Sequence, residues 1–148
     1  MELEFAFKLL PVQDTKFTEY VFYVRENIDF NNNKPSWIPA FSWVARYGKT
    51  NTLGHLEAHL INLKLLLKGE NSLSSGFFGD GGFEYHQSFL KLDSYTKLET
   101  KPFWGCGFMV EDGLIYWIES VFGQKVHISS KSLESLIKCF ERAILVTD

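Results

Sequence analysis

The stretch FWGCGFMVEDGLIYWIESVFGQKVHIS, residues 103–129, decides the fold class of this chain. Its apolar and aromatic segments are separated by two pairs of turn-forming residues, Asp112-Gly113 and Gly123-Gln124. Such pairs favour the primed two-residue turns, whose backbone twist matches that of antiparallel strands. The pattern therefore predicts a three-stranded antiparallel meander. Because the segment between the two turns is apolar on both faces, we expect the middle strand to be covered on both sides.

Two segments carry the apolar periodicity of an α-helix. In TLGHLEAHLINLKLLLKG, residues 52–69, it predicts a helix that is capped by Asn51 or Thr52 and ends at the closing glycine. In KSLESLIKCFERAI, residues 131–144, it predicts a second helix with Ser130 as its N-cap. The buried stripe of this second helix is expected to be Leu133, Leu136, Ile137, Phe140 and Ile144. The buried stripe of the first helix is expected to be Leu53, Leu56, Leu60, Leu63 and Leu67, widened by Ile61.

The N-terminal third is predicted to supply further strands. Residues 2–10 alternate as a half-buried strand does, with Leu3, Phe5, Phe7 and Leu9 on one face, and Pro11 ends that strand. The stretch 40–47 has the composition of a short strand. Residues 15–29 fit helical spacing with Asp14 as N-cap, so we favour a helix there. A strand is the alternative, because the same stretch is rich in β-branched and aromatic residues.

Length and composition fit one domain with a core of its own. The chain has 148 residues, 45% of them hydrophobic, which is enough for a core without disulfides or metals. The order of elements predicts a single α+β domain over residues 1–148. It is a mainly antiparallel sheet with a C-terminal meander, and the helices pack mainly on one face. Cys106 and Cys139 do not make a disulfide framework and are expected to be reduced, buried thiols.

The charge pattern argues against nucleic acid and membrane as direct partners. The formal net charge is −3, and the Lys and Arg residues are scattered, whereas nucleic-acid binding needs concentrated positive charge. No stretch approaches the roughly 20 apolar residues of a membrane span. The first residues lack the basic and apolar regions of a signal peptide. We therefore expect a cytoplasmic protein.

The stretch SSGFFGDGGFEYH, residues 74–86, is the part of the sequence most like a cofactor motif, because it holds four glycines. A phosphate-binding loop needs a helix after its glycines and usually a Lys followed by Ser or Thr. Here a strand-like sequence follows, and both the Lys-Ser pair and the G-x-G-x-x-G spacing are missing from it. A hairpin tip at Asp80-Gly81 is therefore favoured over a phosphate cradle, and no cofactor is predicted.

Other residues that carry chemistry form no recognisable catalytic or metal-binding motif. His55 and His59 lie one helical turn apart, a spacing that can chelate zinc, but no third ligand follows by spacing. Both are therefore expected to pack at an interface, and no metal site is predicted. Cys106 lies between two glycines, and His86 or His127 could be its base in a Cys-His pair. No cation or helix N-terminus lies near Cys106 in sequence to activate the thiol.

The overall profile of the chain resembles one family. Its length, its mildly acidic single α+β domain, its lack of an export signal and its 14 Phe, 6 Tyr and 4 Trp carry the resemblance. In these features it resembles the small cytoplasmic immunity proteins of bacterial contact-dependent inhibition and related polymorphic toxin systems. The resemblance implies a protein that neutralises a cognate toxin domain, often a nuclease, by occluding its active site.

The physics of neutralisation indicates which residues would contact such a toxin. Asp and Glu on a rigid scaffold imitate phosphates in a basic cleft and accelerate association, while aromatic side chains supply anchoring free energy. The acidic balance from residue 77 onward places the predicted contacts in the C-terminal half. They are Phe78, Asp80, Glu84, Tyr85, Trp104, Glu111, Asp112 and Glu119.

Two other classes of function remain as alternatives. A small enzyme or ligand-binding domain would use a pocket between the sheet and the helices, with His86, Cys106 and His127 as its polar groups. An assembly subunit would use the aromatic, glycine-lined hairpin within residues 74–86 to dimerise.

Overall fold

Two antiparallel sheets and two long helices make up the part of the chain that the computed structural model describes. That part comprises residues 1–29, 31–69, 84–85, 107–118 and 120–147, with the backbone alone at 84–85. The arrangement confirms the predicted α+β fold class. It has mainly antiparallel sheet, a C-terminal meander and helices packed mainly on one face.

The first sheet has the strand order β1-β2-β3-β4, and neighbouring strands are antiparallel. Its strands are β1 (Leu3–Pro11), β2 (Thr18–Glu26), β3 (Ile38–Val44) and β4 (Glu84–Tyr85). In β1 the residues Leu3, Phe5 and Phe7 are buried, as the alternation predicts, and Pro11 is the last residue of the strand. Leu9, on the same predicted face, is instead 41% exposed near the end of the strand.

The segment 15–29 contains a strand, so the helix favoured from the sequence is wrong. Tyr20, Phe22 and Val24 occupy alternate positions of β2 and are almost fully buried. Aromatic and β-branched side chains are favoured in strands over helices, and β2 pairs with a strand on each side. Asp14 is not an N-cap; it lies in the connection between β1 and β2 with a left-handed φ of 61°.

The meander predicted from residues 103–129 is the second sheet, in the order β5-β6-β7. Its strands are β5 (Phe108–Glu111), β6 (Leu114–Trp117) and β7 (Val126–Ile128). As predicted, the middle strand β6 is central, and Asp112 and Gly113 form a two-residue turn between β5 and β6. Both have positive φ, 53° and 77°, which is the signature of a type I′ turn.

Two details of the predicted meander are wrong. β6 ends at Trp117, and β7 begins only at Val126. The reason is that Gly123, with φ 81°, closes a turn onto Ser120, whose carbonyl accepts the Gly123 N–H at 3.1 Å, instead of forming a two-residue hairpin. The central strand is also not covered on both faces, because the Leu114 side chain is 44% exposed.

The first helix, α1 (Lys49–Leu67), ends just before Gly69, as predicted. Its predicted N-caps, Asn51 and Thr52, are wrong because both lie inside the helix, and Gly48 is the N-cap. The Thr52 hydroxyl donates to the Gly48 carbonyl at 2.8 Å.

The predicted leucine stripe of α1 is confirmed in part, because Leu56 and Leu63 are fully buried, but the side of α1 that faces the core also includes polar residues outside the stripe. The His59 side chain is 1% exposed and stacks on Phe140 with ring centroids 6.0 Å apart. The His55 ring lies 5.3 Å from the Trp43 ring. This ring packing brings a partly polar side of α1 inward and leaves Ile61 exposed. The buried residues of α1 are Thr52, Leu56, Ala58, His59, Asn62, Leu63 and Leu66, while Leu53, Leu60 and Leu67 are half-buried.

The second helix, α2 (Ser130–Thr147), is capped by Ser129 and not by Ser130. The Ser129 hydroxyl accepts the Ser132 N–H at 3.2 Å, which is the usual N-cap bond to the third helical residue. Its predicted buried stripe is confirmed for Leu133, Leu136, Ile137 and Phe140, and Ile144 is half-buried. Neither α1 nor α2 carries an apolar stretch of the kind that crosses a membrane.

The first turns of α2 lie beside the open edge of β1 and accept hydrogen bonds from it. The Leu3 N–H donates to the Ser132 hydroxyl at 2.7 Å, and the Phe5 N–H donates to the Ser135 hydroxyl at 2.9 Å. β1 is an edge strand, so these N–H groups have no strand to pair with, and the two serines satisfy them.

The start of the chain joins the two sheets. The Met1 nitrogen donates to the His127 carbonyl at 2.8 Å, and the Ser129 N–H donates to the Met1 carbonyl at 3.0 Å. Met1, two residues before β1, therefore pairs with the end of β7.

One aromatic core is shared by both sheets and both helices. Phe22 of β2 stacks on Phe140 of α2 with centroids 4.6 Å apart. Phe5 of β1 lies 5.7 Å from Trp117, which in turn stacks on Phe108 at 5.2 Å. The meander is therefore held on the first sheet by ring contacts as well as by the backbone bonds of Met1.

Candidate functional site

The predicted contact residues occupy two described places in the fold. Glu111 and Asp112 are adjacent at the tip of the β5–β6 hairpin. Glu84 and Tyr85 form β4, at the edge of the first sheet beside β3. The remaining predicted contacts, Phe78, Asp80, Trp104 and Glu119, lie outside the described residues, as does most of the glycine-rich stretch 74–86.

The hairpin tip combines an exposed carboxylate with an exposed apolar side chain. Asp112 is exposed, and a Cβ placed on Gly113 would have open space around it. Leu114 follows directly, 44% exposed and opposite Glu111 in the β5–β6 register. Trp117, at the other end of β6, is fully buried. The tip is therefore a solvent-facing surface with its strand fixed in the core.

A neighbouring lysine neutralises part of the negative charge of the tip. Lys125 Nζ lies 3.5 Å from Glu111 Oε2 and 4.4 Å from the centroid of the Tyr116 ring. Tyr116 pairs with His127 across β6 and β7, with ring centroids 5.7 Å apart. Among the described residues Asp112 has no ion-pair partner. Within the described part of the chain, the tip thus presents one carboxylate outside any ion pair, where the sequence predicts two acidic contacts.

An open depression of about 310 Å³ lies beside the tip, between the C-terminal end of α1 and the N-terminal end of α2. Leucine and isoleucine side chains supply most of its apolar wall, while His127 and two serines supply polar groups. Of the polar groups predicted for an enzyme-like pocket, His127 lines this depression, and His86 and Cys106 lie outside the described residues. The lining residues are Leu66, Leu67, Gly69, Val110, Gly113, Leu114, Ile115, His127, Ile128, Ser129 and Ser130.

The polar groups of the depression are partly engaged in holding the fold. The Ser129 hydroxyl caps α2 and lies 2.9 Å from the Ser132 hydroxyl. Over the described ranges, no hydrogen bond joins Ser129 or Ser130 to the exposed His127 ring. In the same ranges, no three His, Cys, Asp or Glu side chains gather where a metal ion would bind.

Cys139 is buried on the core side of α2, as predicted, with 3% of its surface exposed. Burial raises the pKa of its thiol to about 11, against a smaller opposing effect of the Arg142 charge. The thiol is therefore protonated at neutral pH and unsuited to nucleophilic chemistry. Cys106 lies outside the described residues.

A second polar cluster surrounds Glu4 on the first sheet. Burial raises the pKa of the Glu4 carboxyl, but Arg25 and Lys34 together outweigh burial and hold that pKa below its ordinary value. Arg25 Nε lies 3.1 Å from Glu4 Oε2, and Lys34 Nζ lies 3.4 Å from it. Arg25 also lies 4.0 Å from the centroid of the Trp37 ring. These charges are paired with one another, so we assign the cluster to stability.

The sequence pattern missed two side chains of the tip. Leu114 is exposed because it flanks a two-residue turn at the end of a short sheet, and its place next to Asp112-Gly113 was the available signal. Lys125 reaches Glu111 only because β6 lies between β5 and β7, and that arrangement depends on pairing between segments distant in sequence.

Comparison of the chain with protein-family models, with curated proteins and with solved structures finds no match in any of the three.

Proposed function

We propose that this is an immunity-type protein that binds a cognate toxin domain and occludes the active site of that domain. The observation that carries the proposal is the hairpin tip, where exposed Leu114 lies between the Asp112 carboxylate and an open, partly apolar depression. An exposed apolar side chain next to polar groups, on a fixed scaffold, fits the apolar centre and polar rim of a protein-binding surface.

The base of the hairpin supports this use. Ile115 and Trp117 alternate with the outward residues of β6 and are buried, and Trp117 stacks on Phe108. A surface that is already ordered loses less conformational entropy on association than a flexible loop does. The tip therefore enters a complex without first having to fold.

The proposed partner is a basic domain such as a nuclease, whose cleft accepts phosphates. Asp112 attracts such a cleft directly, whereas Glu111 does so only by exchanging Lys125 for a cation of the partner. We therefore expect Leu114 and the depression to supply most of the affinity of the tip, and Asp112 to act mainly on the association rate. The contacts proposed in β4 and outside the described residues would extend this surface.

The proposal places the protein in the cytoplasm, where a toxin delivered into the cell would act. Capture from native lysate on the tagged protein, followed by intact-mass measurement, identifies the partner. That polypeptide is then expressed alone and together with the protein. We expect it to be toxic alone and harmless in a one-to-one complex, with its activity on nucleic acid lost at equimolar ratio. Full activity of the captured polypeptide at saturating protein would refute neutralisation.

A small-ligand or enzymatic function is the second candidate, favoured by the depression itself. Its volume of about 310 Å³ lies at the small end of ligand pockets, which span roughly 300–1,000 Å³. Native mass measurement of the purified protein separates the candidates. A retained small molecule on a monomer supports the pocket, a bound polypeptide supports neutralisation, and a stable homodimer supports an assembly subunit.

A further inference from the structure

We draw no further inference here: the strongest candidate, binding of an anion in the depression where the N-terminus of α2 meets His127, Ser129 and Ser130, rests on a helix N-terminus with no second observation in the described residues that points to a ligand.

Discussion

The reactivity of the Cys139 thiol tests whether the buried side of α2 excludes solvent and reagents. Its pKa of about 11 leaves very little thiolate at pH 8, and the thiolate is the reactive form. In a Cys106→Ser background Cys139 is the remaining cysteine. We expect a thiol reagent at pH 8 to modify it about 200-fold more slowly in the native protein than after denaturation, as follows from the thiolate fraction at an unperturbed pKa near 8.5. Native and denatured rates within tenfold of each other would contradict this burial.

The Glu4 cluster predicts a pH dependence of stability. Because the pKa of the Glu4 carboxyl is lowered in the fold, its contribution is present above the ordinary glutamate pKa of about 4.3 and is lost as pH falls through the folded value. We expect Glu4→Gln to lower the free energy of unfolding at pH 7 by about 0.5–1 kcal/mol, as for a partly exposed ion pair.

Denaturant titration at pH 7 and pH 3.5 measures this effect. The difference between wild type and Glu4→Gln should shrink toward zero at the lower pH. Glu57→Gln, on the exposed side of α1, is the matched control and should leave stability unchanged at both pH values. A Glu4→Gln deficit of the same size at pH 3.5 would assign the effect to packing and not to charge.

At the scale of elements, the contact between α2 and the edge of β1 makes a specific prediction. Ser135→Ala removes the acceptor of the Phe5 N–H, and a partly buried donor left unpaired costs about 1–2 kcal/mol. Ser130→Ala, at the exposed start of α2, is the control, because it changes helix propensity in the same direction without touching β1.

Denaturant titration and hydrogen exchange measure the two variants. We expect Ser135→Ala to be the less stable one and to lose protection at the Phe5 amide. Equal protection of that amide in both variants would mean that the Ser135 hydroxyl does not hold the β1 edge.

The elements differ in how far the sequence could predict them. The β5–β6 hairpin and α2 have strong local signals, a turn pair and a regular apolar stripe, and both were predicted. β2 was not, because Val21 is buried on the opposite face from Tyr20 and Phe22. Apolar side chains on both faces of a strand imitate helical spacing, and only pairing with β1 and β3 resolves the ambiguity.

The buried side of α1 could not be fully predicted from the sequence for a similar reason. Its leucines surround much of the helix, so periodicity alone does not choose the buried side. The choice depends on the rings that Trp43 and Phe140 present to His55 and His59. Those rings come from β3 and α2, and their positions are set by tertiary packing that a local sequence window does not contain.

At the scale of the whole molecule, the fold class was predicted correctly even though one element of the predicted order, over residues 15–29, was wrong. The aromatic content is explained by a core shared between two sheets. The candidate site was predictable only in part. Asp112 at the tip follows from a local turn signal. The exposure of Leu114 and the pairing of Glu111 with Lys125 follow from where the sheet ends and how its strands are ordered.

The charge of the tip predicts a salt-dependent effect on association with the captured partner. Asp112→Asn removes the carboxylate and keeps a residue type that tolerates positive φ. We expect it to slow association a few-fold at low salt and to approach wild type as salt is raised. Asp14→Asn is a closely matched control, because Asp14 is also exposed and has φ 61°. A salt series of association rates in which the two variants behave alike would remove Asp112 from the interface.

The affinity of the Leu114→Ala variant for the captured toxin domain tests the central claim most directly, namely that the hairpin tip is the binding surface. Leu145→Ala, at a leucine that is 72% exposed near the end of α2, is the control truncation of the same kind. We predict that calorimetric titration shows binding weakened about 10-fold, or ~1.4 kcal/mol, by Leu114→Ala. Leu145→Ala should bind like wild type. Wild-type affinity in Leu114→Ala, with its fold intact, would contradict the account.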